Sequence, residues 1–364
     1  MAKVKTIDKM LDTAAYPSSH GEQNRSEQLL EWYPSHHHPL KFSSFPPVVL
    51  LPTLSAMKTT RRSWMKGALG LGLAPAAELF AVTEPYARVG KGLKVGLAAY
   101  SFRDFFEFSR GKKNPKYVEG DKSMDMPGFI EYCAKQGIAG AELTSYFFPA
   151  ECDESYYAQC RQIAHVNGVQ ISGTAVGNNF SHPKDAPERA EQIAYVKQWI
   201  DYAGIMGAPH IRVFAGTHPK GMSGEQAEQN AIEALAETAV YAAQKGVFLG
   251  IENHDSITTA DRLLRIVRGV DSPWVGVNLD SGNFVAEDVY PEIAASAPYA
   301  LNVQLKTEIK IPDSKDKKPA ELERVVKILR DTGYAGYVVL EFEEDADPYE
   351  RVPPILENLL KWCS

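Results

Sequence analysis

Four apolar runs in the last third of the chain each end in an acid or an amide: VFLGIENH (247–254), WVGVNLDSGNF (274–284), LNVQLKTE (301–308) and YVVLEFEED (337–345). The residues that close them are Glu252, Asp280, Gln304 and Glu341. Each run is rich in β-branched and large apolar residues, and each is followed by a segment of helical periodicity. Strands that alternate with helices pair in parallel. In a closed parallel barrel the strand ends converge on one face, where active sites are built. Three carboxylates and one amide oxygen brought together there would suit a hard or borderline divalent cation.

The same alternation extends upstream. LKVGLAAYSF, AGAELTSYF, VQISGTAV and PHIRVFAG precede the four runs, and from Leu93 onward β-rich stretches alternate with helical ones. Helices are expected at about 123–136, 153–167, 187–206, 223–245, 257–269, 288–297, 319–332 and 349–362, from apolar residues three and four apart. Gly137, Gly168, Gly207, Gly246 and Gly333 each fall just past one of them, where a left-handed residue ends a helix. Eight strand–helix units predict a single α/β domain, the (β/α)8 TIM barrel, over residues 91–364. A doubly wound sheet is the competing arrangement. It would place a Gly-rich phosphate turn after its first strand, but that strand ends in AYSFRDFF. The long connection from Arg103 to Lys122 falls on the active-site side and reads as a lid or substrate loop.

Composition is that of an ordinary globular protein, 44% hydrophobic and 23% charged. A net charge of −7 argues against a nucleic-acid partner, because phosphate backbones are held by clustered Lys and Arg. Cys133, Cys152, Cys160 and Cys363 have no CxxC spacing, so free thiols are expected, with a Cys152–Cys160 disulfide as the alternative for an exported protein.

The front of the chain reads differently. TRRSWMK (60–66) and the apolar, Gly- and Ala-rich run after it resemble a twin-arginine export signal. The alternative is an ordinary amphipathic helix with two surface arginines. The run is too short and Gly-rich to span a membrane stably. Residues 57–90 are therefore expected as signal segment and linker, with Met57 as the true start and residues 1–56, including His36 to His38, as a disordered extension. The resemblance implies the twin-arginine machinery as a partner and a periplasmic or otherwise exported location.

LGIENH, VGVNLDSGNF, NVQLK and GYVVLEFE, in that order on the fifth to eighth strands, resemble the sugar phosphate isomerase/epimerase family with its xylose-isomerase-like TIM barrel. The resemblance covers about residues 93–362. It implies one divalent ion, manganese first, with magnesium, cobalt or zinc as alternatives, held by Glu252, Asp280, Gln304 and Glu341. Gln304 stands where many members have His, and an amide oxygen tilts the site away from zinc. Asp280 could instead cap the next helix, and Glu343 could replace Glu341 as the ligand.

The family's chemistry implies a ketose or related sugar, a proton moved through an enediolate, and carboxylates on opposite faces of the substrate. Those roles fall to Glu252 and Glu341, with His254 and Lys306 as further acid–base or oxyanion-contacting groups. His254 could equally be a hydrogen-bonded loop histidine. The pairing partner foreseen for Lys306 is Glu341 or Glu308. Glu142, Arg212, Tyr100 and Phe102 have the position to touch substrate; a buried ion pair or rim packing is the alternative for each. Asn283 replaces a His often found three residues after the Asp. Two rival functions stay open, a metal-dependent lyase or hydratase acting on 3-keto-glycosides and a non-catalytic sugar-binding barrel. A homo-oligomeric state is left open as well.

Overall fold

The computed structural model describes residues 84–364 apart from 91 and 118. Eight parallel strands follow one another around a closed ring: β1 Leu93–Ala98, β2 Gly140–Thr144, β3 Gln170–Ala175, β4 His210–Val213, β5 Phe248–Glu252, β6 Val275–Asp280, β7 Ala300–Lys306 and β8 Gly336–Glu341. β8 pairs with β1 to shut the barrel. Between them lie α1 Met126–Lys135, α2 Glu154–Val166, α3 Pro187–Met206, α4 Gly224–Lys245, α5 Ala260–Val270, α6 Tyr290–Ser296, α7 Leu322–Asp331 and α8 Pro348–Cys363. This is the (β/α)8 barrel that the alternation predicted.

Local chemistry sets the element ends. Asp125, Ser223 and Asp347 each accept a hydrogen bond from a backbone N–H in the first turn of α1, α4 and α8. The five glycines expected after helices all have φ between 67° and 75°.

The strands divide their side chains in an uncommon way. Ile251, Leu279, Leu305 and Leu340 are fully buried and alternate with Glu252, Asp280, Lys306 and Glu341. Apolar residues thus form the layer beneath the helices, while the barrel axis holds charges and amides rather than the branched aliphatic residues usual there. His210 also turns inward. A Cβ at Gly173, on the neighbouring strand, would lie 2.0 Å from the imidazole Cε1, so only glycine leaves the ring its space. Burial pushes His210 down from 6.5 to about 4, keeping it neutral.

Residues 84–90, expected as linker, reach under the barrel. The Tyr86 N–H donates to Pro298 O at 3.2 Å and its hydroxyl to Val275 O at 3.1 Å. The Arg88 guanidinium donates to Pro298 O at 3.2 Å and also to Ala300 O. Its carbon lies 5.2 Å from the Tyr86 ring centroid and 5.1 Å from that of Tyr334.

All four cysteines are free. The paired arginines Arg61 and Arg62, Met57 and His36 to His38 lie outside the described residues. Among the described residues, no helix is long and apolar enough to cross a membrane.

Candidate active site

Strand register decides which inward residues share a level. Asp280 pairs with Gln304, whereas Glu341 pairs with Lys306, and Gln304 pairs with Val339. Lys306 therefore stands beside Glu341, with Gln304 one inward step deeper. Two layers result.

The deeper layer consists mainly of amides. Gln304 Nε2 donates to Glu142 Oε1 at 2.7 Å, and Gln304 Oε1 accepts from Asn278 Nδ2 at 2.7 Å. Asn302 Nδ2 donates to Glu142 Oε2 at 2.8 Å and to Asn278 Oδ1 at 2.9 Å. Glu142 is fully buried, and burial raises it to about 7, with nearby Glu341 adding to the rise. Two expectations change here. Glu142 lies in the floor rather than in the substrate space, and Gln304 spends both ends of its amide on that floor.

The upper layer is ionic. Lys306 Nζ lies 2.9 Å from Glu341 Oε2, 2.8 Å from Glu343 Oε1 and 3.4 Å from Asp280 Oδ2. Arg212 Nε lies 3.0 Å from Glu252 Oε2, so Arg212 both forms a buried ion pair and lines the cavity. Asn283 Nδ2 bridges two acids, donating to Glu252 Oε1 at 3.0 Å and Asp280 Oδ2 at 2.8 Å. Asp280 Oδ1 accepts from the Gly282 N–H at 2.8 Å, a local turn instead of a helix cap. A Cβ at Gly282 would meet Glu308 O at 2.6 Å and the Lys306 stem at 2.7 Å; glycine there lets the lysine reach the acids. Glu308 itself pairs with Lys317, at 3.8 Å, and not with Lys306.

Burial dominates the electrostatics. It raises Asp280 to about 6 and Glu341 to about 7, and it raises Glu252 despite Arg212. Lys306 stays charged: burial opposes its charge, but Asp280, Glu341 and Glu343 outweigh that. Burial also opposes ionisation of Glu343, yet Lys306 holds it below the usual range. Glu341 is the least committed acid, since its Oε1 has no hydrogen bond or ion pair with any described residue.

These groups surround a cavity of about 150 Å³ walled by Tyr100, Arg110, Tyr146, Arg212, Phe214, Glu252, His254, Asn283, Lys306, Glu341 and Glu343. His254 is part-exposed, its ring 4.5 Å from that of Phe214. Phe102 is not in this wall. It is 0% exposed and packs edge-on against Tyr132 and Tyr349, each at 4.9 Å. The reason is the 3₁₀ turn at Ala99–Phe102, which replaces strand alternation by a threefold repeat. Tyr100 faces the site and Phe102 the helices. Sequence reasoning reached Arg110 only as part of the long connection; it is the first turn residue of a short antiparallel hairpin, Phe108–Ser109 against Lys112–Lys113, and that hairpin carries it to the mouth.

As the side chains stand, no three acids, histidines or cysteines among the described residues are close enough together to hold a metal ion; Lys306 lies between Asp280 and Glu341. The charge balance nonetheless suits a further cation. Glu142, Glu252, Asp280, Glu341 and Glu343 outnumber the cations among them, Arg212 and Lys306 inside and Lys317 at 3.8 Å from Glu343 on the rim, and four of the five acids are held above their ordinary range.

Fold and site together define a TIM barrel that concentrates ionisable groups at the C-terminal ends of its strands. The chain belongs to the xylose isomerase-like TIM barrel family, whose profile matches residues 130–362. It is similar to 3-oxo-isoapionate decarboxylase of Pectobacterium atrosepticum, 23% identical over 218 residues, 59% of this chain and 68% of that one. The fold resembles the crystal structure of D-psicose 3-epimerase, with a TM-score of 0.56 and 18% identity, over 74% of this chain and 97% of that one. It also resembles 3-keto-D-glucoside 4-epimerase from E. coli, with a TM-score of 0.55 and 14% identity, over 74% and 99%. At such identities the structural likeness speaks for the fold.

Proposed function

We propose that the protein is a metal-dependent isomerase or epimerase of a ketose or related sugar, moving a proton beside a carbonyl by way of an enediolate. The observation that carries this reading is Glu341: a buried carboxylate at a strand end, with one oxygen uncommitted beside the cavity. Glu252, three strands away on the same cavity, is the partner that returns the proton.

Glu252, Asp280 and Glu341 would hold a divalent cation, with the second lone pair of Gln304 Oε1 as a fourth donor. An all-oxygen set favours manganese or magnesium over cobalt or zinc. When bound, the ion would supply Lewis-acid polarisation of the carbonyl. The protein's own groups divide the remaining work. Lys306 and Arg212 set positive charge where an oxyanion develops. Asn283 fixes the spacing of Glu252 and Asp280. Tyr100 and His254 offer a ring face and a donor to the sugar.

A lyase is the second reading. Loss of a neighbouring group from a 3-keto-glycoside, or of carbon dioxide from a 3-oxo acid, passes through the same kind of anion. The similarity to a decarboxylase of a 3-oxo acid favours keeping it. Incubation in deuterium oxide with manganese and panels of ketoses and 3-keto-glycosides, followed by NMR, separates the two. Deuterium uptake with an epimeric product supports the isomerase and elimination or decarboxylation the lyase. Silence across both panels would leave a sugar-binding barrel and overturn the enzyme.

Export through the twin-arginine machinery to the periplasm is part of this proposal. It rests on TRRSWMK and the apolar run that follows. Mass spectrometry of the native protein tests it: peptides from residues 1–56 in the mature form would sink both the export signal and the start at Met57.

A further inference from the structure

The carboxylate cavity is small for a substrate site. At about 150 Å³ it holds roughly half the lower end of the ~300–1,000 Å³ range of small-molecule pockets. Tyr146 and Arg110 line it and also line a second cleft, of about 370 Å³, between the segment after β2 and the face of α3. The two spaces together fall within the usual range.

The second cleft has a different chemistry. It contains no carboxylate; Tyr195, Trp199 and Tyr202 present it with a row of rings, spaced four and three residues apart on one side of α3. The row is rigid. Tyr202 stacks on Tyr157 at 4.3 Å and 18°, and Trp199 packs edge-on against Tyr202 at 5.4 Å. Gln198 adds an exposed amide, which donates to the Tyr202 hydroxyl at 2.6 Å. Ring faces take the apolar C–H face of a sugar, and an amide with phenolic hydroxyls takes its hydroxyl groups.

Arg110 lines both spaces. With φ of 53° and 73°, Arg110 and Gly111 form the two-residue turn between Phe108–Ser109 and Lys112–Lys113, a hairpin turn that takes positive φ at both positions. The turn is held in place: the Arg110 N–H donates to Tyr146 O at 2.7 Å and its guanidinium lies 4.3 Å over the Tyr146 ring. It has no acid partner among the described residues. A hairpin turn pinned in this way keeps the guanidinium at the wall that the two spaces share.

We infer that the substrate carries a second ring. The reacting sugar occupies the carboxylate cavity, a linked glycosyl unit lies on Tyr195 and Tyr202 in the aromatic cleft, and Arg110 donates to oxygens at the linkage. This rests on the proposed action on a sugar and narrows the substrate to a glycosylated one.

Calorimetry and saturation-transfer NMR on the manganese-loaded protein provide the test. The probes are D-fructose and the glucosyl-fructoses turanose, maltulose, leucrose and isomaltulose, which differ only in linkage, with 4-nitrophenyl β-D-glucoside as an arene control. At least one disaccharide is expected to bind about tenfold more tightly than D-fructose, a step of about 1.4 kcal/mol, with transfer to both rings. Tyr195→Ala, Gln198→Ala and Arg110→Gly should each bring that ratio towards one. Glycine takes φ 53° without strain, so the last removes the guanidinium while keeping the loop. A ratio is read because lost stability or lost metal moves both ligands alike. Disaccharides binding no better than D-fructose, no disaccharide binding at all, a gain confined to the arene, or a ratio that survives all three substitutions each overturns the inference. Binding is measured without turnover, so failed proton exchange would count against the isomerase reading alone.

Discussion

One barrel axis carries two layers of polar side chains, about one inward step apart, and they are built on opposite terms. In the lower, Gln304, Asn302 and Asn278 hydrogen-bond to one another and to Glu142, so donors and acceptors are largely matched. In the upper, Glu252, Asp280, Glu341 and Glu343 share Lys306 and Arg212, with Lys317 reaching Glu343 from the rim, and the carboxylates still outnumber these cations. Matched amides fix positions and have little left to react with. Burial raises acids in both layers, Glu142 to about 7 as much as Glu341, but only the upper carboxylates border the cavity where a substrate could meet them. The lower layer is a foundation and the upper one the working surface.

The comparison is most easily broken at Glu341. Glu341→Gln keeps the shape and an oxygen donor while removing the proton acceptor. Turnover is expected to fall by about 10²- to 10⁴-fold, with the unfolding midpoint little changed, both read on the same preparation. Near wild-type turnover would move the proton transfer elsewhere, with Glu252, His254 and Lys306 next in line.

In the lower layer the expected loss is of stability. Asn302→Leu leaves Glu142 and Asn278 each short of a donor, and urea unfolding should show a cost of about 3 kcal/mol. A change below about 0.5 kcal/mol, within the scatter of surface substitutions, would mean that the amide net is incidental.

His210, also inside the barrel, tests the lower half by pH. Its folded value of about 4 lies below the ordinary 6.5, so the unfolded chain binds the proton first. Stability is complete above about pH 6.5 and declines as pH falls towards 4, by roughly 2–3 kcal/mol between about pH 7.5 and pH 4.5. Urea midpoints for wild type and His210→Asn at both pH values should isolate that share. Equal pH dependence in the two proteins would remove His210 from the account.

Gln304 touches the boundary between the layers, and the smallest effect is expected there. Gln304→His should shift metal preference from manganese towards zinc by about tenfold. An unmoved ratio would assign Gln304 to the foundation alone.

The strands, the helices and the convergence of Glu252, Asp280 and Glu341 were legible because apolar periodicity and strand-end position are local properties. The layering was not. Whether Gln304 or Lys306 stands level with Glu341 depends on the stagger of β7 against β8, which is fixed only when the ring closes. Phe102 escaped for a local reason, a 3₁₀ turn where strand alternation was assumed. Arg110 and the row on α3 escaped because a loop and a helix outside the barrel meet the mouth only in three dimensions.

Tyr86 and Arg88 have a consequence in time. They precede β1, so they leave the ribosome before any strand of the barrel. Their seats are Val275, Pro298, Ala300 and Tyr334, made some 190 residues or more later. The first described stretch of the chain is therefore among the last to be fastened. Until β6, β7 and the approach to β8 are in place these contacts cannot form, and once they do, its docking reports from outside that the sixth and seventh strands have come together.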